Sequence, residues 1–156
     1  MKNHIIISLL FLLIGCSTDI DTLQNRDGVW YEFNSEEPFS GYVYKEFQSG
    51  KKRMKGWFKN GKQEGSITSW YENGQKELVG KFKNGKKDGI YTLWYPSGQM
   101  RNKVDFKNGK NNGFDTYWYE SGQMRYEILY YHDGNGRIIS EKYWNNQGKE
   151  ITKMGN

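Results

Sequence analysis

Residues 70–93 read WYENGQKELVGKFKNGKKDGIYTL, and residues 94–117 read WYPSGQMRNKVDFKNGKNNGFDTY. The second stretch repeats the first with a period of 24 residues, and Gly50 and Gly122 extend the register of Gly74 and Gly98 on both sides. A period between about 20 and 50 residues is typical of repeat arrays, in which each unit buries its apolar side chains only against its neighbours. The repeat therefore predicts an extended binding surface and not an enzyme built around a pocket.

Each unit contains two turn signals. The first is the dipeptide Asn-Gly, which favours the type I′ turn of a β-hairpin because both central residues adopt positive φ. The second is a Gly-Gln pair at residues 74–75, 98–99 and 122–123. Aromatic and β-branched residues fill the runs between turns, as in β-strands. We therefore predict an all-β fold, an elongated single-layer antiparallel meander of successive β-hairpins. Its structural turn glycines are Gly61, Gly85 and Gly109.

Alternate side chains of a strand point to opposite faces of the sheet, so the repeats can be aligned in columns. One predicted face is aromatic and the other mostly basic. The structural aromatic columns are Phe58, Phe82 and Phe106 in the first strand and Trp70, Trp94 and Trp118 in the second. The candidate binding residues are Arg53, Lys55, Arg101, Lys103 and Arg125 on the basic face, with Tyr71, Tyr95 and Tyr119 stepping to the face opposite the tryptophans.

The charge of the chain is segregated. Residues 48–125 hold 16 basic and 7 acidic side chains, whereas residues 17–47 hold 2 and 7. A basic stretch of this size favours an acidic protein, anionic lipid or acidic polysaccharide as ligand. A solvated, lysine-rich repeat surface explains the same pattern equally well.

The units also resemble a known family. Residues 71–75 (Tyr-Glu-Asn-Gly-Gln) with 82–89 (Phe-Lys-Asn-Gly-Lys-Lys-Asp-Gly) resemble the variant MORN repeats of bacteria. Residues 95–99 with 106–113 repeat the pattern, and the resemblance covers about residues 41–122. It implies a sheet of successive hairpins and a scaffold or interaction role, in some members tied to membranes or phospholipid. Some bacterial relatives carry an antitoxin label.

The amino terminus looks like an export signal. Lys2 precedes an apolar run, Ile5 to Ile14, that is short for a membrane span. The run ends in Leu13-Ile14-Gly15-Cys16, which resembles a bacterial lipobox and predicts lipidation of Cys16, the only cysteine. An ordinary signal peptide with a chance cysteine is the alternative. Ser17 after the cysteine favours the outer membrane in a two-membrane bacterium.

These signals divide the chain into five segments. We predict a lipoprotein signal peptide (1–15), a lipidated cysteine with a short tether (16–26) and an amino-terminal cap (27–47). Regular repeats (48–125) and an irregular last repeat with a carboxy-terminal cap (126–156) follow. Atypical end units are expected of arrays, because they close the sheet against solvent.

Catalytic residue types are scarce. His132 is the only histidine after the predicted signal, and no His, Cys, Asp or Glu residues have the spacing of a metal site. We therefore expect no enzyme, no metal and no cofactor. The sequence favours a lipid-anchored scaffold of the cell envelope that binds a protein partner, with anionic lipid as a further ligand and no nucleic acid. The alternative is a carbohydrate or cell-wall binding module that uses the adjacent Trp-Tyr pairs; an antitoxin-type neutralising protein is a weaker third reading.

Overall fold

The computed structural model describes residues 17–133 and 135–152. No helix in these ranges is long and apolar enough to cross a membrane. The predicted signal peptide (1–15) and the predicted lipidation site, Cys16, lie outside the described residues. The elements are β1 (Thr18–Asp19), the 3-10 helix η1 (Ile20–Thr22), β2 (Leu23–Arg26), β3 (Val29–Glu32), β4 (Gly41–Glu46), β5 (Lys52–Lys59), β6 (Lys62–Trp70), β7 (Lys76–Lys83), β8 (Lys86–Lys87), β9 (Gly89–Trp94), β10 (Met100–Lys107), β11 (Lys110–Trp118), β12 (Met124–Tyr130), β13 (Ile138–Trp144) and β14 (Glu150–Ile151).

One long sheet contains twelve of these strands. Its order is β1-β4-β5-β6-β7-β9-β10-β11-β12-β13-β14, with β8 paired to β7. The pairs are antiparallel except β1 with β4, which is parallel. Strands β2 and β3 form a separate hairpin. The predicted all-β meander of successive hairpins is therefore confirmed.

The Asn-Gly turns have the backbone conformation that their sequence predicts. Asn60, Asn84 and Asn108 have φ of 49°, 51° and 50°, and the glycines that follow have φ of 71°, 76° and 83°. Both positions are left-handed, which is the requirement of a type I′ turn. These turns connect β5 to β6, β7 to β8 and β10 to β11.

The other turn recurs five times with one hydrogen-bond pattern. In residues 71–75 the Tyr71 N–H donates to the Gln75 carbonyl at 2.9 Å, and the Gly74 N–H donates back to the Tyr71 carbonyl at 2.9 Å. The same pair of bonds occurs in residues 47–51, 95–99, 119–123 and 145–149. The last repeat therefore keeps the turn. It is two residues longer than the others, since Trp118 and Trp144 are 26 residues apart.

We call the side of the sheet that carries Phe58, Tyr91 and Val104 the core face, and the side that carries Lys55, Thr68 and Trp70 the open face. At the amino-terminal end the core face is covered. Leu23, Phe39, Val43 and Phe58 form a buried cluster, and Trp30 packs its ring against Phe58 at 5.9 Å between centroids.

The segment predicted to be a tether, residues 16–26, is part of the fold from residue 18 onward. It supplies β1, η1 and β2, because Leu23 is buried in the amino-terminal cluster and Ile20 packs against it. The prediction of a tether is therefore wrong for this part of the chain. Its two apolar residues cover the end of the sheet, where an unprotected apolar face would otherwise meet water.

Farther along, the sheet covers its core face with its own side chains. Tyr91 is only 2% exposed, with Phe82 at 5.7 Å and Phe106 at 5.2 Å between ring centroids, both edge-on. Its ring lies over Gly80, where an added Cβ would come within 2.5 Å of the ring. Phe82 and Phe106 of the phenylalanine column thus pack on Tyr91, and the glycine in the neighbouring column makes room for the tyrosine.

Candidate functional site

A ladder of tyrosine hydroxyls joins successive repeats along the turn edge of the core face. Each hydroxyl donates to the carbonyl of the tryptophan that ends the corresponding strand one repeat later. Burial raises the pKa of Tyr71, and burial is also the main cause that raises the pKa of Tyr95 to about 12, so both stay protonated at neutral pH. The bonds are Tyr71 to Trp94 (2.7 Å), Tyr95 to Trp118 (2.8 Å) and Tyr119 to Trp144 (3.0 Å).

Arginines lie beside this ladder. The Arg125 guanidinium carbon is 5.5 Å from the ring centroids of both Tyr117 and Tyr119. Arg53 stands over Phe47, which occupies the column of Tyr119 in an earlier repeat, at the same 5.5 Å. Stacking of this kind orients the planar guanidinium while leaving its N–H edges available to a ligand.

The expectation of a single basic face is wrong. Between Met100 and Asn102 the register of β10 against β9 shifts at a β-bulge, and Arg101 is the extra residue. A bulge breaks the two-residue alternation, so Arg101 and Lys103 do not project together. The same shift occurs at Arg53 and Arg125. The arginines therefore accompany the tyrosines, whereas Lys55 and Lys103 lie on the open face. Their assignment as binding residues stays a prediction.

The core face becomes polar at its carboxy-terminal end. Tyr117 stacks on Tyr126 at 5.3 Å between centroids, and Tyr126 is 6.3 Å from Tyr143. Together with Tyr119 and Arg125 these residues form what we call the tyrosine–arginine cluster. The cluster lines a cavity of about 420 Å³, which Trp144 and Ile151 also line.

A buried carboxylate borders this cluster. Asp115 is 9% exposed and accepts hydrogen bonds from the Asn102 amide at 2.8 Å and the Asn111 amide at 3.4 Å. Burial raises its pKa, and the Asn102 bond partly offsets that effect. Burial, followed by the neighbouring Asp115 charge, raises the pKa of Tyr126 to about 12.

The open face carries a straight row of paired residues across the strands. Thr92 pairs with both Val79 and Lys103, and directly paired residues share a face. Trp70 lies on this face, since the Lys55 ammonium is 5.8 Å from its ring centroid. The tryptophan and tyrosine of each Trp-Tyr pair thus lie on opposite faces and cannot form one aromatic cage. The full row is Lys55, Thr68, Val79, Thr92, Lys103, Thr116, Glu127 and Lys142.

Two grooves on the open face use the same columns of the repeat. One is lined by Tyr42, Lys55 and Thr68 among others, and the second by Ile90, Lys103 and Thr116, which are the equivalent residues two repeats later. Three large apolar side chains are exposed here: Tyr42 (59%), Ile90 (51%) and Phe114 (53%). The open face therefore combines apolar contact area with one lysine in each groove, Lys55 in the first and Lys103 in the second.

A side-chain bond also fixes each Asn-Gly turn to the preceding repeat. The Asn84 N–H donates to the Glu64 carboxylate at 2.7 Å, and the Asn108 N–H donates to the Asp88 carboxylate at 3.2 Å. This hydrogen bond is the main cause that lowers the pKa of Asp88. Ser40 accepts the equivalent bond from the Asn60 N–H at 2.8 Å. The acceptor always precedes a glycine of the 41, 65, 89 register, a signal that the sequence analysis did not use.

Asp115, Tyr117 and Tyr143 are not among the residues predicted from the sequence. A usable signal was present, because Asn102 stands in the column of Met54 and Leu78 and so interrupts an apolar column. Among residues 17–133 and 135–152, no group of three or more His, Cys, Asp or Glu side chains could hold a metal ion.

Comparison with known families gives one match. Residues 63–84, 87–108 and 116–133 match the model of the MORN repeat variant. These three segments are therefore similar to MORN variant repeats. Each matched segment includes one of the Gly-Gln turns at residues 74–75, 98–99 and 122–123, and the first two extend into the Asn-Gly turns. No curated protein and no solved structure shows significant similarity to the chain.

Proposed function

We propose that the protein is a non-enzymatic, lipid-anchored scaffold of the cell envelope that binds an acidic partner protein along the open face of its MORN repeats. MORN repeats are generally non-catalytic, and a sheet of hairpins offers surface in place of a deep site. The proposed anchor is lipidated Cys16, which the lipobox-like sequence supports. Several acyl chains would hold the protein stably at a membrane.

The open face is the observation that carries the proposal. Exposed Tyr42, Ile90 and Phe114 supply the apolar area that protein interfaces bury at their centre. Lys55 and Lys103 flank this area, so the complementary partner is acidic, and opposite charges raise the rate of encounter.

Two paired variants of the full chain test the surface. Lys55→Glu with Lys103→Glu reverses two charges on the open face, and Arg53→Glu with Arg101→Glu makes the same charge change at the turn edge. We expect the lysine pair to abolish capture of an envelope protein from a detergent extract at low salt, and the arginine pair to retain it. Both should fold, because the exposed charges of Arg53, Lys55 and Lys103 each contribute little to stability; thermal unfolding checks the change at half-buried Arg101.

If both double variants lose capture equally, the loss is an effect of net charge, and the proposed surface is contradicted. If the wild-type protein binds anionic vesicles and captures no protein, the ligand of the open face is a lipid surface and not an acidic protein. For the anchor, mass spectrometry of the mature amino terminus should find an acylated Cys16; an unmodified cysteine or another cleavage site would contradict it.

A further inference from the structure

The tyrosine–arginine cluster lies on the opposite side of the sheet from the surface proposed above, and neither the repeat type nor the scaffold role accounts for it. Two repeats earlier this part of the core face holds Met54, Ser69 and Leu78, whereas here it holds Asn102, Tyr117 and Tyr126. Packing alone does not explain why polar side chains replace Met54 and Leu78 at these positions. The replacement points to a ligand.

Arg125 defines the charge of that ligand. Its side chain is exposed, and none of the acidic side chains in the described part of the chain forms an ion pair with it. Two tyrosine rings hold its guanidinium in place. An oriented, unpaired guanidinium that borders a cavity is suited to a planar carboxylate, which it binds through two parallel hydrogen bonds.

The remaining cavity walls define the body of the ligand. Phenol hydroxyls both donate and accept hydrogen bonds, so a set of them matches a ligand rich in hydroxyl groups. Ile151, which pairs with Tyr143 on the core face, supplies an apolar wall on which the C–H face of a saturated ring can pack. At about 420 Å³ the cavity is within the usual range for small organic ligands, about 300–1,000 Å³.

We propose that the tyrosine–arginine cluster binds a sugar ring that carries a carboxylate, as in a uronic acid residue of an acidic saccharide. Arg125 binds the carboxylate, the hydroxyls of Tyr117 and Tyr126 bond to the ring hydroxyls, and the Ile151 side chain packs against the C–H face of the ring.

Titration calorimetry with the full chain in detergent tests the site. The probes are a glucuronate-containing disaccharide, the matched disaccharide with glucose in place of glucuronate, and glucose 6-phosphate. We expect saturable binding of the first, at least tenfold weaker binding of the second, and weaker binding of the third than of the first. Equal binding of the neutral sugar, preference for the phosphate, or no saturable binding would each overturn the proposal.

Substitutions locate the binding. Arg125→Gln should weaken glucuronate binding at least tenfold, and Arg125→Lys should weaken it several-fold, since an ammonium keeps the charge but not the planar pair of donors. Lys142→Gln is the matched control, because Lys142 pairs with Glu127 on the open face and loses the same charge. If Lys142→Gln weakens binding as much as Arg125→Gln, the ligand does not occupy the cluster.

Thermal unfolding shows whether the arginine variants fold. If they do not, a variant that lacks one hydroxyl still tests the site. Tyr126→Phe retains the ring stack with Tyr117 and removes only the hydroxyl. We expect it to bind the acidic disaccharide about fivefold to tenfold more weakly, in line with the loss of a hydrogen bond worth about 1 kcal/mol. Unchanged affinity in a folded Tyr126→Phe protein would contradict the proposed contact.

Discussion

The two ends of the core face are built from the same repeat but are closed in different ways. At the amino-terminal end, Phe58 is 4% exposed beneath Leu23 and Phe39 of the preceding segment. At the carboxy-terminal end, stacked tyrosines and Arg125 stand on the sheet around a cavity. A hairpin repeat fixes the backbone and its turns, while the side chains of one column can change from an apolar layer to a polar one. Packing is thus concentrated at one end, and the chemistry suited to a small ligand at the other.

The largest expected effect is a difference in aromatic truncation between the covered end and the middle of the sheet. Phe58→Ala should lower the free energy of unfolding by about 3–5 kcal/mol, as for other buried aromatic residues. Phe106→Ala changes the same column two repeats later, where the ring is only half-buried, and should cost about half as much. Urea denaturation of the two variants measures this. Equal losses would show that the covered end is no more tightly packed than the middle.

The turn glycines give a second contrast. Gly61 and Gly85 both have positive φ, so alanine at either position costs about 1–2 kcal/mol of backbone strain. At Gly61 an added Cβ would also come within 2.3 Å of Val29, whereas at Gly85 the nearest atom is 3.7 Å away. We expect Gly61→Ala to lose about 1–3 kcal/mol more than Gly85→Ala through overpacking. Similar losses would mean that the β2–β3 hairpin moves aside freely.

Removing the hydroxyl of Tyr91, in β9, and of Tyr95, in the turn that follows, should change the stability in different ways. Tyr95→Phe removes the hydrogen bond to the Trp118 carbonyl and should cost about 1 kcal/mol. The Tyr91 hydroxyl is buried and has no hydrogen-bond partner among the described residues. Tyr91→Phe should therefore leave the stability unchanged or raise it by up to about 1 kcal/mol, since it removes an unsatisfied buried group. Thermal unfolding measures both, with exposed Tyr42→Phe as the neutral control. A loss at Tyr91 would point to an unrecognised partner.

The sequence was sufficient for the fold wherever one residue type determines the backbone. Asn84-Gly85 selects a type I′ turn by itself, and the 24-residue period places the next turn. It was not sufficient to assign every side chain to a face of the sheet. Arg101 is the extra residue of a β-bulge, and a bulge depends on pairing with the neighbouring strand. Asp115 was missed for a related reason: its burial depends on neighbours in β10 and β12, which strand register alone brings together.

The smallest effect concerns the buried carboxylate of Asp115 and appears only as a pH dependence. Its native pKa is raised by burial, so between the ordinary value near 3.8 and that raised value the native state holds the proton more tightly than the unfolded chain. Wild-type stability should fall as the pH rises through this window. Asp115→Asn has no titrating group at this position, so its stability relative to wild type should increase with pH and then level off.

Asp88→Asn provides the control of opposite sign. The Asn108 N–H holds the pKa of Asp88 below its usual range, so this carboxylate contributes stability that is lost as the pH falls through its native pKa. Relative to wild type, Asp88→Asn should therefore become less stable as the pH rises through the acid range, whereas Asp115→Asn becomes more stable. Denaturant midpoints measured from pH 2 to pH 7 compare the two directly. If both variants shift in the same direction, Asp115 does not carry a buried charge at neutral pH, and the polar end of the core face is more open to water than the structure indicates.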